Sequence, residues 1–283
     1  MRRARIVFGA PAPYARLVAH GLQQAEVRAG KVRGEWLIPS DPLPGAILYI
    51  HGGGFVSCSP VTHRPIAAAL TRLTRRRVFS VDYRLAPESR LPAAQEDVIA
   101  TYEWLLNTGE PASQIAVAGD SAGGNLVLGL AVQLRDQNRP PPACLVAFSP
   151  WTDLTGRGAS VRANDGRCAM FRPENMRDFA LAALGHLPAD DPAVSPLYAP
   201  LHGLPPLLLH VGAQELLLDD AVRVHDRVRA TGGSSDLVVY EGVPHCWQIL
   251  TPFVPEATHS LRGAATFILE HVAAPNASTR GVA

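Results

Sequence analysis

Short apolar runs alternate along the chain with longer segments whose apolar residues recur at helical spacing. The apolar runs, which predict strands, occupy residues 46–50, 77–81, 114–118, 143–149, 206–211 and 236–240. The helical patterns lie near residues 61–73, 92–107, 122–135, 218–230 and 255–272. Strands that alternate with helices are typical of a mainly parallel sheet covered by helices on both faces, which predicts an α/β fold.

Two segments interrupt this alternation and suggest the domain organisation. Residues 1–35 precede the predicted strands, and residues 155–195 form a long insert with a helical stretch that ends at Leu184. Inserts of this length without a strand of their own are often lids over a site. We therefore expect a core formed by residues 36–154 and 196–272, with residues 273–283 as a disordered tail.

A G-x-S-x-G pentapeptide, Gly119-Asp120-Ser121-Ala122-Gly123, stands between a predicted strand and a predicted helix. In that setting the pentapeptide forms a nucleophile elbow, a tight turn that exposes the serine hydroxyl at the edge of a sheet. The turn leaves no room for side chains beside the serine, which gives Gly119 and Gly123 a steric purpose. Ser121 is therefore the candidate nucleophile.

A second glycine-rich loop, His51-Gly52-Gly53-Gly54-Phe55, follows the strand predicted at 46–50. Acyl transfer to a serine creates a tetrahedral oxyanion, which backbone N–H groups can stabilise when they converge on one point. Such a loop supplies donors together with the residue after the nucleophile. The predicted donors are Gly53, Gly54 and Ala122, and His51 is expected to hold the loop in shape.

The order of these motifs predicts where a general base and an acid should follow, because hydrolases of this kind run Ser, acid, His along the chain. His245 comes after the strand predicted at 236–240 and is the candidate base. Glu215 follows the strand predicted at 206–211 and is the candidate acid that orients the imidazole. Asp219 is its main competitor, although Asp219 and Asp220 also fit the first turn of a helix, where the helix dipole favours acidic residues.

Taken together, the motifs resemble those of the hormone-sensitive lipase family of α/β-hydrolases, on its bacterial esterase side. The resemblance spans roughly residues 36 to 272 and is carried by His51 to Phe55, Asp82 to Glu88, Gly119 to Leu126, Ser149 to Leu154, Gly203 to Pro206 and Pro244-His245. It implies an α/β-hydrolase fold with a helical cap made from residues 1–35 and 155–195. It also implies hydrolysis of carboxylic esters, usually of short acyl chains, without a cofactor.

The chain departs from the family pattern at the acid. The family more often has aspartate within a D-x-L-x-D-E pattern, whereas Glu215-Leu216-Leu217-Leu218-Asp219-Asp220 fills those positions here. Glutamate is an accepted acid in such triads. Family members often form dimers through an edge strand and a neighbouring helix, so a homodimer is an open expectation.

Composition limits the other function classes. The chain has 283 residues, 47% of them hydrophobic, and a formal net charge of +1, which gives no electrostatic attraction to nucleic acid or membranes. No apolar run approaches the length of a membrane span, and the N-terminal apolar stretch Ile6-Val7-Phe8 is too short for a signal-peptide core. We therefore expect a cytoplasmic protein that acts on a small-molecule ester.

The cysteines favour neither a metal site nor disulfides. Cys58, Cys144, Cys168 and Cys246 show no metal-binding spacing, and no metalloprotease or phosphate-loop motif is present. Cys144 lies in an apolar strand and is expected in the core. Cys246 follows His245, but neighbours in an extended segment point to opposite sides, so we expect the two side chains not to meet.

Further side chains have either pocket or scaffold roles. Phe55, Trp151 and Trp247 are pocket candidates because they adjoin catalytic loops, and the insert residues Met170, Phe171, Phe179 and Leu184 could line an acyl pocket or only seal the insert onto the core. Arg84 with Glu88 could brace the loop beneath the elbow. Asp120 needs a buried partner, such as Arg84 or a backbone amide.

The sequence therefore predicts a serine carboxylesterase for short-to-medium acyl chains, with an acyl-enzyme intermediate. An amidase or a lactonase could use the same residues. A receptor on a hydrolase fold is the alternative from another class, since the plant gibberellin receptor resembles this family but lacks the triad histidine, whereas His245 is present here.

Overall fold

Eight strands form one central sheet in the computed structural model, which describes residues 5–6, 9–10 and 14–272. The strands are β1 (Gln23–Ala29), β2 (Val32–Ile38), β3 (Ala46–Ile50), β4 (Arg77–Val81), β5 (Ile115–Asp120), β6 (Cys144–Phe148), β7 (Leu207–Gly212) and β8 (Ser235–Tyr240). Their order across the sheet is β1-β2-β4-β3-β5-β6-β7-β8. β1 and β2 pair antiparallel, β2 is antiparallel to β4, and the other pairings are parallel. The predicted mainly parallel α/β sheet is confirmed.

Helices connect the strands at the predicted places. The described α-helices are α1 (Ala15–Val18), α2 (Arg64–Thr74), α3 (Ala93–Asn107), α4 (Ala122–Asp136), α5 (Ala159–Ala163), α6 (Pro173–Leu184), α7 (Leu218–Ala230) and α8 (Pro255–His271). The five helices predicted from periodicity correspond to α2, α3, α4, α7 and α8, with ends within three residues of the prediction.

The central strands are buried on both faces because helices cover the sheet on both sides. Along β3, Ile47 and Tyr49 pack into the cluster that contains α2 and α8, whereas Leu48 and Ile50 pack into the cluster that contains α3, α4 and α7. Every residue of β3, β5, β6 and β7 is buried. Uninterrupted apolar runs are the signature of such strands, which is why the sequence revealed them.

The first two strands were not predicted, and they correct the proposed boundary at residue 35. β1 is largely exposed at the sheet edge, and its sequence, Gln-Gln-Ala-Glu-Val-Arg-Ala, has no apolar run. β2 alternates buried and partly exposed residues as it pairs with β1 and β4. The predicted N-terminal cap segment 1–35 therefore includes β1 and part of β2, which belong to the sheet.

The carboxyl ends of the parallel strands bring the motifs to one edge of the sheet. Gly52 follows β3, Ser121 follows β5, Glu215 follows β7 and His245 follows β8. Ligands bind at this edge in open α/β folds. The insert 155–195 contributes α5 and α6, and the tail 273–283 lies outside the described residues.

The predicted brace between Arg84 and Glu88 is wrong. Arg84 Nε donates to both oxygens of Asp97 in α3, at 3.0 and 2.9 Å, and Glu88 instead pairs with Arg5. Asp97 is nearly fully buried and already accepts the backbone N–H of Arg84. A buried carboxylate gains more from a guanidinium than the exposed Glu88 does, so Arg84 pairs with Asp97.

Candidate active site

Ser121 lies at a strained turn between β5 and α4. Its backbone adopts φ 52° and ψ −118°, a conformation that few non-glycine residues take up. A Cβ at Gly119 would lie 2.7 Å from the Ile50 carbonyl oxygen, and one at Gly123 would lie 2.0 Å from the same atom. The steric purpose predicted for the two glycines is therefore confirmed, because the elbow packs directly on the end of β3.

The glycine loop after β3 supplies unpaired backbone donors beside Ser121. Gly53 and Gly54 have φ of 110° and 61°, which favour glycine, and both residues line the same cleft as Ser121. Within the described part of the chain, no backbone acceptor is recorded for the N–H groups of Gly53, Gly54 and Ala122. Free donors on both sides of Ser121 are what an oxyanion hole requires.

A buried carboxylate holds the imidazole that follows β8. Glu215 Oε2 lies 2.5 Å from His245 Nδ1, and both side chains are almost fully buried. The second oxygen of Glu215 accepts hydrogen bonds from Ser149 Oγ and from the Gly212 N–H, both at 2.6 Å. These two donors fix the carboxylate, and the carboxylate in turn fixes the ring with Nε2 directed away from it.

Asp219, the alternative acid, has other partners. Its Oδ2 accepts the backbone N–H of Ser160 at 3.0 Å, and its own N–H donates to Ser160 Oγ at 3.0 Å. Asp219 therefore ties the start of α7 to α5 in the insert. Asp220, next to it, accepts the backbone N–H groups of Thr152 and Asp153 at 2.6 and 2.8 Å.

The expectation that Cys246 and His245 do not meet is wrong. Cys246 Sγ lies 3.2 Å from His245 Nε2, because the backbone of Cys246 is left-handed, with φ 53° and ψ 38°, and not extended. Burial raises the pKa of Cys246 well above its usual value, so the thiol stays protonated and can donate to the ring. Among the described residues, no hydrogen bond joins Ser121 Oγ to His245, so Nε2 must exchange the thiol for the hydroxyl to act as a base on Ser121.

Asp120 anchors the glycine loop to the elbow, and its partner is not Arg84. Its Oδ1 accepts from Tyr49 Oη at 2.6 Å and from the Gly52 N–H at 3.0 Å, while its Oδ2 lies 3.1 Å from His63 Nε2. Burial by itself would raise the pKa of Asp120, but the charge and hydrogen bond of His63 outweigh it and lower the pKa to about 2. The predicted backbone amide is thus one partner, and Tyr49 and His63 were missed.

The cleft above Ser121 opens to solvent, has a volume of about 650 Å³ with that open part included, and is mostly apolar. Four of the seven side chains named for the pocket, Trp151, Met170, Phe171 and Phe179, line it, and Phe171 also packs edge-on against the His245 ring at 5.2 Å between centroids. The lining also includes Ser57, Cys58, His63, Met176, Cys246 and Ile249, which were not predicted for the pocket. The insert therefore lies over Ser121, and only its place in the insert pointed to Met176.

Phe55 and Trp247 do not line the cleft. Phe55 is 1% exposed and packs behind Trp151, with ring centroids 5.9 Å apart. Trp247 is fully buried in a separate cluster with Val243 and Ala257. Leu184, named with the insert residues, is buried in the main core. Proximity along the chain to a catalytic loop did not determine which way these side chains point.

His51 is buried and neutral beneath the loop. Its Nδ1 lies 2.7 Å from the Gly52 carbonyl oxygen, and its ring stacks on Tyr83 with centroids 4.3 Å apart. Burial, followed by the neighbouring His63, lowers the pKa of His51 to about 3. A ring that stays neutral at physiological pH suits the structural role expected for His51.

The protein is expected to lose stability in weak acid because His51 must stay neutral while folded. The unfolded chain has the higher pKa, about 6.5 against about 3, so this contribution is complete above pH 6.5 and is lost as the pH falls towards 3. Between pH 7 and pH 5 the expected loss from His51 is about 2 kcal/mol of unfolding free energy. Urea unfolding of the wild type and of His51→Gln at both pH values measures it.

His51→Gln should make the free energy of unfolding less dependent on pH than it is in the wild type. His20→Gln, which replaces an exposed histidine, is the control and should leave that pH dependence unchanged. Equal pH dependence in the wild type and in His51→Gln would show that His51 is not buried in its neutral form.

The described residues offer neither a metal site nor a membrane span. In residues 5–6, 9–10 and 14–272, no three or more His, Cys, Asp and Glu side chains are grouped so as to hold a metal ion. None of the helices in these ranges combines the length and the apolar character that a membrane crossing requires.

Comparisons with known proteins identify the family of the chain. A family model described as the α/β-hydrolase fold matches residues 47–249. The chain is 35% identical to an acetyl-hydrolase from Streptomyces hygroscopicus over 86% of this chain and 81% of that protein. It is 39% identical to a carboxylesterase/phospholipase, LipF, from Mycobacterium tuberculosis, over 86% of this chain and 66% of that protein.

A solved structure supports the same assignment. An esterase from the bacterial hormone-sensitive lipase family superposes with a TM-score of 0.88 at 36% identity, over 95% of this chain and 96% of that one. The family match covers well over half of the chain, and the structural match covers nearly all of it. The chain therefore belongs to the hormone-sensitive lipase family of α/β-hydrolases.

Proposed function

We propose that the protein is a serine carboxylesterase that hydrolyses esters of short-to-medium acyl chains through an acyl-enzyme intermediate. The observation that carries the proposal is the 2.5 Å contact between Glu215 Oε2 and His245 Nδ1, on a cleft that His245 shares with Ser121, Gly53 and Gly54. The names of the relatives, acetyl-hydrolase and carboxylesterase, support the ester as substrate.

In the proposed mechanism, Ser121 Oγ attacks the ester carbonyl carbon while His245 Nε2 takes the hydroxyl proton. Glu215 holds the ring and stabilises the imidazolium, and the N–H groups of Gly53, Gly54 and Ala122 stabilise the oxyanion. The intermediate collapses, the alcohol leaves with the proton from Nε2, and Ser121 carries the acyl group. Water activated by His245 then releases the acid and restores the serine.

Residues of this kind could also cleave amides or lactones, and a receptor on the same fold would bind a ligand without turnover. The contact between His245 and Glu215 argues against a receptor, because a binding site does not need an oriented base. The cleft offers no feature that favours an amide over an ester, so the ester is the primary proposal.

Turnover of nitrophenyl acetate, the corresponding anilide and a simple lactone separates these functions. We expect the ester to be hydrolysed much faster than the other two, because the phenolate leaves readily whereas the anilide nitrogen needs protonation first. Faster cleavage of the anilide or the lactone would favour those alternatives. A well-folded protein that turns over none of them yet binds such ligands would be a receptor.

A cytoplasmic location, a homodimer and the lack of nucleic-acid partners remain predictions from the sequence. Sedimentation of the purified protein would measure the oligomeric state directly.

A further inference from the structure

Two side chains separate the cleft above Ser121 from a second cavity. The second cavity is partly open to solvent and has a volume of about 640 Å³ with the open part included, and Trp151 and Met176 belong to the lining of both spaces. Apolar side chains provide most of the second lining, chiefly Leu154, Val161, Pro173, Leu216 and Leu217. Trp151 and Met176 therefore form a wall with an apolar space on each side.

The Trp151 half of the wall is held rigidly by the core. The Trp151 N–H donates to the Ser121 carbonyl oxygen at 3.0 Å, and the Trp151 carbonyl accepts from Asn125 Nδ2 at 2.9 Å. The next two N–H groups, of Thr152 and Asp153, both donate to Asp220. Since the backbone is fixed on both sides and the side chain is 3% exposed, the indole cannot easily swing aside.

The Met176 half of the wall comes from α6 in the insert and is 9% exposed. An unbranched thioether adapts its shape more readily than an indole does. The wall therefore combines the rigidly held indole of Trp151, from the core, with the more adaptable side chain of Met176, from the insert.

The chemistry of the second cavity suits a hydrocarbon chain. Its two buried carboxylates are already engaged: Asp153 Oδ2 accepts from Arg223 Nη1 at 2.7 Å, and Asp220 accepts the two backbone N–H groups. Burial raises the pKa of Asp220 to about 8, and Arg223 neutralises Asp153, so neither group is left to bind a charged ligand. Arg177, which also lines the cavity, is exposed to solvent. Methylene groups, in contrast, gain free energy from the apolar lining.

The position of the base indicates which part of the ester would face this wall. The leaving alcohol must lie near His245 Nε2 to receive its proton, and Phe171 packs against that ring. The acyl chain leaves the carbonyl carbon in the other direction. The Trp151 N–H donates to the Ser121 carbonyl oxygen and its side chain lines the cleft, so the wall begins next to the residue that would carry the acyl group.

We propose that Trp151 and Met176 set the acyl-chain length of the substrate, and that removal of this wall opens the second cavity to the end of a longer acyl chain. This inference rests on the proposed ester hydrolysis and specifies its substrate. Each methylene newly removed from water should raise kcat/KM about fourfold.

The test compares nitrophenyl acetate, butyrate, octanoate and decanoate with the wild type, Trp151→Ala and Met176→Ala. In Trp151→Ala the ratio of kcat/KM for octanoate to that for acetate should rise by about tenfold or more over the wild type, since the space gained takes several methylenes. Met176→Ala should shift the ratio in the same direction by less. Because acetate has the shortest acyl chain of the series, its rate reports any general damage to the site.

Two further variants make the result specific. Leu181→Ala, at an exposed position of α6 that lines neither space, should leave the ratio close to that of the wild type. Trp151→Ala combined with Val161→Phe refills the second cavity and should return the ratio towards the wild-type value.

An unchanged ratio in both wall variants, with hydrolysis of acetate retained, would overturn the inference. The inference would also be overturned if the wall variants showed the same rise in kcat/KM for esters in which the alcohol chain, and not the acyl chain, is lengthened. If Trp151→Ala does not fold, the ratio in Met176→Ala decides alone. A wild type that hydrolyses none of these esters would refute the proposed function itself, which the wild-type assay reveals before any variant is measured.

Discussion

Replacing Ser121 with alanine is expected to lower kcat for nitrophenyl acetate by about four to six orders of magnitude. Alanine removes the hydroxyl oxygen that carries the acyl group in the proposed mechanism, whereas the backbone donors of Gly53, Gly54 and Ala122 remain and sustain a residual rate. Alanine has the same backbone limits as serine, so the strained turn at φ 52° changes little. Steady-state kinetics together with thermal unfolding separates loss of chemistry from loss of fold.

The cysteine beside the base cannot take over from the missing serine. Burial raises the pKa of Cys246, so little thiolate is present at neutral pH, and the thiol is not placed at the elbow. The residual activity of Ser121→Ala should therefore be insensitive to alkylation by iodoacetamide.

Ser57→Ala is the matched control for this prediction. Ser57 lines the same cleft, and its hydroxyl donates to the Gly53 carbonyl oxygen at 3.0 Å. Its loss should reduce activity modestly by loosening the loop. A fluorophosphonate probe should label the wild type and Ser57→Ala but not Ser121→Ala. Labelling that persists in well-folded Ser121→Ala would mean that another residue is the nucleophile.

The sequence predicted the central parallel strands because they are buried on both faces and therefore read as apolar runs. The parallel edge strand β8 is partly exposed, but it still carries the short apolar run Leu237-Val238-Val239. β1 lacked that signal: it lies at the sheet edge, exposes most of its side chains, and is recognised only through its register with β2. Antiparallel edge strands depend on pairing that a single sequence does not display. The N-terminal boundary was misplaced for this reason.

The positions of the candidate site residues could be predicted where order along the chain constrains them, whereas contacts that depend on local backbone conformation could not. Ser121, Glu215 and His245 each follow a strand of the parallel sheet, so topology brings them to one edge. Cys246 was misjudged because its left-handed backbone turns the thiol back towards the ring. The hydrogen bond between His63 and Asp120 joins positions 57 residues apart, and no sequence motif predicted it.

Exchanging Glu215 for glutamine is expected to lower kcat by roughly a thousandfold or more. Oε1 of the new side chain can still accept from Ser149 and the Gly212 N–H, so the loop should stay folded. The amide nitrogen that replaces Oε2 donates and cannot accept. His245 Nδ1 must then become the acceptor, which leaves the proton on Nε2, where it blocks transfer from Ser121.

Two control variants, Asp219→Asn and Glu215→Asp, test the identity of the acid and the importance of its charge. Asp219 accepts the Ser160 N–H in the insert and does not contact His245, so its substitution should cost about 1 kcal/mol of stability at most and leave kcat nearly unchanged. Glu215→Asp keeps the charge on a shorter arm and should retain more activity than Glu215→Gln. A larger loss of kcat in Asp219→Asn than in Glu215→Gln, with both proteins folded, would transfer the role of the acid to Asp219. It would also mean that the 2.5 Å contact at His245 is structural only.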